Sequence, residues 1–439
     1  MHQLAISLKK KGYIVRGSDD EIFEPAFSNL AAEGLLPETM GWHPEKIDPG
    51  VGAVILGMHA KQDNPELVRA REMGLKIYSF PEYIYQESRA KTRVVIGGSH
   101  GKTTTTSMIM HVLKQAGLKF DWLVGAKLEG FTQSVSLTDA PVIICEGDEY
   151  PASAIEKRPK FHFLFPDVAI LTGIAWDHIN VFPTFDFYLE QFRIFLDKIE
   201  SGGLLIYNET DPVLKTLVEN HPGSFRKKAY RIPDHRIENG RTLVELEGKT
   251  ARLLVFGDHN LLNLQAAWLA TAELGVDTRT FLQAISSFSG ASKRLELLGK
   301  NEHTNVYRDF AHAPSKVKAT MEAVRQQYPG RKLISVLELH TYSSLNEQFM
   351  GEYKGTLDNA DTALVFYSRH ALSLKGMPDL SKEKVYKGFD KKGLILINEK
   401  EELIKWLHQQ SYENANLLLM SSGNYEGIDV VSFAKEITK

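Results

Sequence analysis

The chain has 439 residues, too many for one ordinary hydrophobic core, so two or three domains are expected. Hydrophobic residues make up 43% and charged residues 24%, and the net charge of −3 gives no reason to expect a nucleic acid or a membrane surface as partner. The single cysteine, Cys145, excludes an internal disulfide bond and favours a reducing compartment, so we expect a cytoplasmic protein.

The first region, residues 1–92, alternates helical patterns with short apolar strands, as small α/β domains do. An amphipathic helix is predicted over residues 1–11, and strands are predicted over 13–16, 51–57 and 76–78. A doubly wound domain normally begins with a strand and a glycine-rich turn before such a helix, and neither precedes it here. We therefore expect this domain to lack its first strand, through truncation or a late start codon.

The second and third regions, residues 93–297 and 298–439, also alternate strands with helical patterns. One such helical pattern is predicted over residues 401–409. Strands are predicted over 142–145, 168–171, 204–207, 333–337, 363–366, 394–397 and 417–420. The sequence thus predicts an α/β protein with a central domain and a second doubly wound domain after it.

A glycine-containing turn joins an apolar strand at 94–96 to a helical stretch, and the turn carries Gly-Lys-Thr. Glycines let backbone N–H groups approach phosphate oxygens, and the helix N-terminus adds partial positive charge. Lys102 can reach the β- and γ-phosphates, and the Thr103 hydroxyl can help to hold Mg²⁺. The loop residues predicted to bind ATP or GTP are Gly98, Ser99, His100, Gly101, Lys102, Thr103 and Thr104. Ile96 stands where the standard spacing has glycine, so a strand-to-helix turn without nucleotide remains the alternative.

Two polar segments follow predicted strands of the second region. Residues 146–150, Glu-Gly-Asp-Glu-Tyr, come at the carboxyl end of one strand, where α/β proteins bind ligands, and such carboxylates suit Mg²⁺. An acidic surface loop is the alternative. Asp177 and His178 follow the strand 168–171, and a metal or phosphate role competes there with a structural histidine.

Two further clusters are predicted to contact a nucleotide. Asn260 and Asn263 are three residues apart on one helical face, where amides could contact a purine edge, although Asn260 could also be only an N-cap. Arg294 could hold a transferring phosphoryl group. Asp309 could accept a hydrogen bond from a ribose hydroxyl, or orient a lysine or arginine.

Taken in order, these clusters resemble the Mur ligase family, the ATP-dependent amide-forming enzymes of peptidoglycan assembly. Residues 98–103 match the family loop Gly-(Ser/Thr)-x-Gly-Lys-Thr, and His100 resembles the branch that uses UDP-N-acetylmuramate as acyl donor. The resemblance implies three domains: a Rossmann-like UDP-sugar domain over 1–92, a P-loop ATPase domain over 93–297, and a Rossmann-like acceptor domain over 298–439. It also implies ATP and Mg²⁺, with UDP-N-acetylmuramate and a short peptide or amino acid as substrates.

The resemblance also implies roles for individual residues. Lys102 and Thr103 would serve the phosphates and a Mg²⁺, and Glu146 and His178 would ligate a second Mg²⁺. Asn260 and Asn263 would lie at the adenine, Arg294 at the γ-phosphate, Asp309 at the ribose, and His312, a candidate base, near the reacting carboxylate. The implied catalytic residues are Lys102, Glu146, His178, Arg294 and His312. The implied substrate contacts are Ser18, Asp19, Asp63 and Asn64 for the UDP-sugar, and His340, Ser422 and Asn424 for the acceptor.

Three segments favour L-alanyl-γ-D-glutamyl-meso-diaminopimelate as the acceptor within this family. Residues 146–150 are similar to Glu-Ala-Asp-Glu-Tyr, residues 420–428 resemble Met-Ser-Asn-Gly-Gly-Phe-Gly-Gly-Ile, and residues 309–312 look like Asp-Phe-Ala-His. There are departures: residues 338–344 replace a Glu-Pro-Arg-Ser-Asn type of segment, and Ala313 replaces a second histidine. The alternatives are L-alanine as acceptor, a P-loop ATPase without ligase activity, and a non-catalytic relic.

Overall fold

Two largely parallel β-sheets carry the fold of this computed structural model, which describes residues 1–58, 60–125, 128, 130–176, 181–238, 240–291, 293–374 and 376–439. The chain divides into two compact units. Residues 1–174, 181–231 and 266–276 form the first unit, and residues 232–265 and 277–439 form most of the second. None of the helices in the described part of the chain combines the length and apolar character needed to cross a bilayer.

The α-helices are built from amphipathic segments, and several begin at a side-chain cap such as Asp211 or Asp277. Their bounds are α1 (His2–Lys10), α2 (Ala26–Ala32), α3 (Pro65–Glu72), α4 (Phe80–Ser88), α5 (Lys102–Gln115), α6 (Phe185–Leu196), α7 (Pro212–Glu219), α8 (Asp258–Glu273), α9 (Thr278–Ile285), α10 (Pro314–Gln327), α11 (Arg369–Leu374), α12 (Lys382–Phe389), α13 (Lys400–Gln409) and α14 (Val430–Ile437).

The strands are short, and the central ones are runs of apolar residues buried on both faces, as parallel strands are. Their bounds are β1 (Val54–Leu56), β2 (Ile77–Ser79), β3 (Thr92–Gly97), β4 (Asp121–Leu123), β5 (Val135–Ser136), β6 (Val142–Glu146), β7 (Val168–Leu171), β8 (Leu204–Asn208), β9 (Arg226–Tyr230), β10 (His235–Glu238), β11 (Arg241–Leu246), β12 (Lys249–Arg252), β13 (Glu296–Lys300), β14 (Thr304–Asp309), β15 (Lys332–Leu339), β16 (Thr362–Tyr367), β17 (Ile395–Ile397) and β18 (Ala415–Met420).

In the first unit, the described strands form a seven-stranded sheet in the order β5-β4-β6-β3-β7-β8-β9. Every neighbouring pair is parallel except β4 and β5. The register places Ile96 beside Glu146 and Gly97 beside Leu171. The carboxyl ends of β3, β6 and β7 therefore meet at one edge of the sheet.

Residues 1–92 pack on this same sheet and contain the separate parallel pair β1–β2. Leu4 and Leu8 of α1 belong to the hydrophobic core that includes Val95, and the Ser7 hydroxyl accepts a hydrogen bond from the Leu137 N–H. The strand predicted over 13–16 was wrong. Ile14 is 93% exposed, and residues 13–16 pair with no strand among the described residues, so an apolar β-branched run alone did not suffice.

In the second unit, the described strands of the larger sheet have the order β13-β14-β18-β15-β16-β17, and every pair is parallel except β13–β14. One face packs on α10 through Val317 and Met321, and the other packs on α13 and α14 through Leu403 and Phe433. The register aligns Met420 with both Asp309 and Leu337. The carboxyl ends of β14, β18 and β15 thus also share one edge. A separate antiparallel sheet, β10-β11-β12, precedes α8.

Candidate active site

The predicted phosphate loop, residues 98–104, is held in place by the chain that follows β7. Gly98 has φ +125°, and a Cβ atom added there would lie 2.2 Å from the Thr172 hydroxyl oxygen, so only glycine fits. The Thr172 hydroxyl lies within hydrogen-bond distance of the Gly97 and His100 carbonyls, and the Ser99 N–H donates to the Gly173 carbonyl (3.0 Å). The loop is therefore fixed before any ligand binds.

Helix α5 begins directly after Gly101, which has φ +82°, and so carries Lys102 at its first position and Thr103 and Thr104 behind it. The Lys102 ammonium donates to the Gly98 carbonyl (2.6 Å) and to Glu149 Oε2 (2.7 Å). Burial opposes the charge of this ammonium, but Glu149, together with the charges of Asp148 and Glu146, raises the pKa of Lys102. Lys102 is thus a cation held inside the loop.

A hydroxyl and a carboxylate meet beside this lysine. Thr103 Oγ1 donates to Glu146 Oε1 (2.7 Å), and the Gly125 N–H donates to Glu146 Oε2 (3.1 Å). A Thr hydroxyl and one carboxylate are the kind of oxygen donors that Mg²⁺ takes together with phosphate oxygens and waters, so these two residues fit the ion. Within the described residues there is no group of three His, Cys, Asp or Glu side chains that could hold a metal. His178 lies outside the described residues.

The rest of the acidic segment is paired with lysines. Asp148 accepts a hydrogen bond from the Lys160 ammonium (2.7 Å), which outweighs the effect of burial and lowers the pKa of Asp148. Glu149 is 1% exposed and pairs with Lys102. Of the segment's three carboxylates, only Glu146 therefore faces the Thr103 hydroxyl. The sequence had grouped all three as a metal-binding candidate.

In the second unit, the two predicted adenine contacts are buried in α8. Asn260 is 5% exposed and its amide nitrogen donates to the Phe256 carbonyl (2.9 Å), while Asn263 is 6% exposed. Helix α8 begins at Asp258, so Asn260 lies inside the first turn rather than at the N-cap. Burial and, after it, the charge of Arg294 lower the pKa of the neighbouring His259 to about 4.

Arg294, Asp309 and His312 come together at the end of β14. The Arg294 guanidinium lies over the Phe310 ring at 4.8 Å, and His312 Nδ1 lies 2.8 Å from the Phe310 carbonyl. The Asp309 carboxylate accepts from the backbone N–H groups of Leu295 (2.5 Å) and Ala311 (2.6 Å). Burial raises the pKa of Asp309, and the nearby Arg294 charge opposes that shift.

The predicted acceptor contacts lie at the same sheet edge, around a carboxylate that the sequence analysis did not select. Glu338 is the last residue but one of β15 and is 2% exposed, and its Oε2 accepts from the Tyr425 N–H (3.0 Å) and from the Ser421 hydroxyl. His340 Nδ1 lies 3.9 Å from the other oxygen of Glu338. The one available signal was an acidic residue at the carboxyl end of a buried apolar strand.

The turn after β18 has an unusual backbone. Tyr425, Glu426 and Gly427 have φ values of +51°, +55° and +83°, a left-handed run that favours glycine. The Tyr425 hydroxyl fixes the turn by donating to the carbonyls of Val336 (3.1 Å) and Met420 (2.9 Å). The Asn424 side chain accepts from the Gly427 N–H, and the Ser422 hydroxyl oxygen is buried without a hydrogen-bond partner among the described residues.

The predicted UDP-sugar contacts form two separate pairs. Asn64 caps α3 by accepting from the N–H groups of Glu66 (3.0 Å) and Leu67 (3.1 Å), and Asp63 precedes it on the surface. Ser18 lies within 3.4 Å of the Lys46 ammonium, and Asp19 accepts from the Asp20 N–H. No hydrogen bond or ion pair in the described part of the chain joins Ser18 or Asp19 to Asp63 or Asn64.

Comparison with known proteins shows the family to which this chain belongs. Residues 96–271 match the Mur ligase middle domain, and residues 293–423 match the Mur ligase, glutamate ligase domain. A UDP-N-acetylmuramate–L-alanine ligase from Caldicellulosiruptor bescii is 30% identical over 88% of this chain and 85% of its own length. A UDP-N-acetylmuramate–L-alanyl-γ-D-glutamyl-meso-2,6-diaminoheptandioate ligase from Haemophilus influenzae is 28% identical over 98% of this chain and 95% of its own length.

A solved structure has the same fold. The murein peptide ligase of Psychrobacter arcticus superposes with a TM-score of 0.63 at 22% identity, and the match covers 99% of this chain and 96% of that one. The chain therefore belongs to the Mur ligase family, whose members are ATP-dependent, ADP-forming amide ligases of peptidoglycan synthesis.

Proposed function

We propose that this chain joins UDP-N-acetylmuramate to L-alanyl-γ-D-glutamyl-meso-diaminopimelate at the expense of ATP. Residues 1–92 would bind the UDP-sugar, 93–297 the ATP, and 298–439 the acceptor peptide. The single observation that carries the choice of acceptor is the glycine-favouring turn at 425–427. It has the backbone that a Gly-Phe-Gly-Gly type of segment adopts without strain.

The first step activates the donor. The carboxylate oxygen of the lactyl group would attack the γ-phosphorus of ATP, forming an O–P bond as the bond to the β–γ bridging oxygen breaks, which gives an acyl phosphate and ADP. Lys102 would contact the β- and γ-phosphates from its fixed position in the loop, and Arg294 would neutralise charge on the transferred group. Thr103 and Glu146, with His178 as a further proposed ligand, would hold Mg²⁺, which shields the triphosphate charge when bound.

The second step forms the amide. The acceptor amine would attack the carbonyl carbon of the acyl phosphate, and phosphate would leave with the electrons of the C–O bond. His312 is the proposed base for the proton that the amine must lose, since it lies on the turn that also carries Asp309. Asn260 and Asn263 would contact the adenine, and Asp309 the ribose. His340, Ser422 and Asn424 would contact the acceptor at the edge that Glu338 organises.

L-Alanine is the second candidate acceptor. The 30% identical relative is named as an L-alanine ligase, and residues 338–344 depart from the segment that resembles peptide acceptors. The two relatives of known name differ by only two percentage points in identity, so overall similarity does not choose between the acceptors.

A competition experiment tests the choice. Purified protein would receive ATP, Mg²⁺, UDP-N-acetylmuramate, L-alanine and the tripeptide together, and mass spectrometry would identify the products. We expect UDP-N-acetylmuramoyl-tripeptide as the main product. UDP-N-acetylmuramoyl-L-alanine alone would overturn the tripeptide assignment, and ADP release without an amide product would overturn the ligase assignment. A Lys102→Ala variant serves as the inactive control.

A further inference from the structure

We propose that Glu149 is a positioning residue, which fixes the Lys102 ammonium in the orientation that phosphoryl transfer requires. The inference rests on the proposed use of ATP at the phosphate loop and not on the identity of the acceptor. Glu149 does not face the Thr103 hydroxyl as Glu146 does; its Oε2 lies 2.7 Å from Lys102 Nζ.

The hydrogen bonds of the lysine are the first part of the argument. A lysine ammonium has three N–H donors that rotate freely about the last carbon–nitrogen bond. The Gly98 carbonyl (2.6 Å) and Glu149 Oε2 (2.7 Å) accept from two of them. Two fixed acceptors determine the direction of the third N–H, and that donor can contact a phosphate oxygen without giving up the other two.

The rigidity of Glu149 is the second part. Gly147 presses the segment against β3, because its N–H donates to the Ile96 carbonyl (2.8 Å) and a Cβ atom there would lie 2.9 Å from Val95 Cγ1. On the other side, the Phe161 N–H donates to the Asp148 carbonyl (3.1 Å). The Glu149 side chain is only 2% exposed, so water cannot easily replace it as the lysine's partner. Its carboxylate is a fixed anchor rather than a mobile surface group.

The charge of Glu149 should affect nucleotide affinity and reaction rate in different ways. The negative charge of Glu149 lies next to the site of a polyanionic nucleotide, so it opposes triphosphate binding. Its benefit comes in the transition state, where an oriented ammonium stabilises the charge on the transferred phosphoryl group. Neutralising Glu149 should therefore leave nucleotide affinity equal or higher while it slows the reaction. A residue that only supported the fold would lower both together.

The test compares Glu149→Gln and Glu149→Asp with a matched control, Asp148→Asn. Asp148 is the adjacent carboxylate in the same segment and pairs with Lys160 instead of Lys102. Calorimetry would give the Kd of the non-hydrolysable analogue AMP-PNP with Mg²⁺, without acceptor. ADP release with both substrates would give kcat, and a thermal melt would report folding.

For Glu149→Gln we expect an unchanged or lower Kd and a kcat at least about tenfold lower, since one fixed electrostatic contact in a transition state is worth about that factor or more. Glu149→Asp, which keeps the charge on a shorter side chain, should recover part of kcat, and Asp148→Asn should stay within about threefold of the wild type. A Kd that rises by the factor by which kcat falls would overturn the proposal, and so would an unchanged kcat. If Glu149→Gln does not fold, an unchanged kcat in a folded Glu149→Asp variant would overturn it as well.

The binding measurement needs no acceptor. Wild-type protein that binds AMP-PNP yet forms no tripeptide product would therefore count against the proposed acceptor alone, and kcat would then be measured with L-alanine. Wild-type protein that does not bind AMP-PNP would overturn both the nucleotide site and the role of Glu149.

Discussion

The two sheet edges have the same architecture but satisfy their buried charges differently. At the edge of the seven-stranded sheet, carboxylates pair with lysines, as Glu149 does with Lys102 and Asp148 with Lys160. At the edge of the six-stranded sheet, Glu338 and Asp309 accept from backbone N–H groups and hydroxyls. The first edge is organised by charge, and the second by directional hydrogen bonds. The difference shows that the position of a carboxylate at the carboxyl end of a parallel strand does not by itself decide which partner it pairs with.

The largest expected effect falls on the charge-organised edge. Lys102→Ala should lower ATP-dependent product formation by about 10²–10³-fold, because it removes a preorganised cation from the phosphates. ADP release under saturating substrates would measure it. Lys114→Ala, on the same helix but outside the loop, is the control and should keep wild-type turnover. A Lys102→Ala enzyme with more than a tenth of wild-type turnover would contradict the charge-based description of this edge.

The loop at the same edge can be displaced by a substitution that leaves its charge unchanged. Gly98→Ala should cost about 1–3 kcal/mol of folding free energy through overpacking against Thr172, and should weaken AMP-PNP binding because the loop must move. Gly117 also has positive φ, at +71°, but nothing lies within 4 Å of an added Cβ atom. Gly117→Ala should therefore cost only about 1–2 kcal/mol and leave AMP-PNP binding intact. Equal binding losses in both variants would show that loop packing is not decisive.

A buried histidine in the second unit should make the free energy of unfolding depend on pH. Burial and Arg294 lower the pKa of His259 to about 4, from an ordinary 6.5, so the folded state keeps this histidine neutral while the unfolded state takes up a proton. Above pH 6.5 the histidine is neutral in both states and does not lower the free energy of unfolding. As the pH falls from 6.5 towards 4, the free energy of unfolding decreases by about 3 kcal/mol. Denaturant unfolding at several pH values would show a flatter profile for His259→Asn than for the wild type.

Removing the carboxylate at the hydrogen-bonded edge should affect both folding and the acceptor. Glu338→Ala leaves the Tyr425 N–H and the Ser421 hydroxyl without their acceptor and should cost about 1–3 kcal/mol of folding free energy. The acceptor KM should rise, while AMP-PNP binding stays unchanged. Glu338→Gln keeps an oxygen acceptor, so its stability and its acceptor KM should lie between those of the wild type and of Glu338→Ala. An unchanged acceptor KM in both variants would show that this edge does not take part in acceptor binding.

The sequence predicted β3, β6, β7, β15 and β18, which end at these edges, but it did not predict β14 and it missed some of what surrounds the edges. Continuous apolar runs such as 142–145 and 417–420 became β6 and β18, because parallel strands buried on both faces must be apolar throughout. The strand predicted over 13–16 failed because its apolar residues have no partner strand, which no local pattern reveals. Thr172 and Glu338 were not selected, and Glu149 was assigned to a metal rather than to Lys102, for the same reason: each acts through residues distant in the chain.

By itself the sequence determined the α/β class and the family and predicted a phosphate-binding loop, because glycine, lysine and hydroxyl spacing is local and is dictated by phosphate geometry. Tertiary structure alone decided which partner each carboxylate of residues 146–150 contacts. Glu146 turns to the Thr103 hydroxyl, and Glu149 turns to Lys102. Neighbouring carboxylates look alike in a sequence, and which cation or donor each one meets depends on strands that the chain order does not bring together.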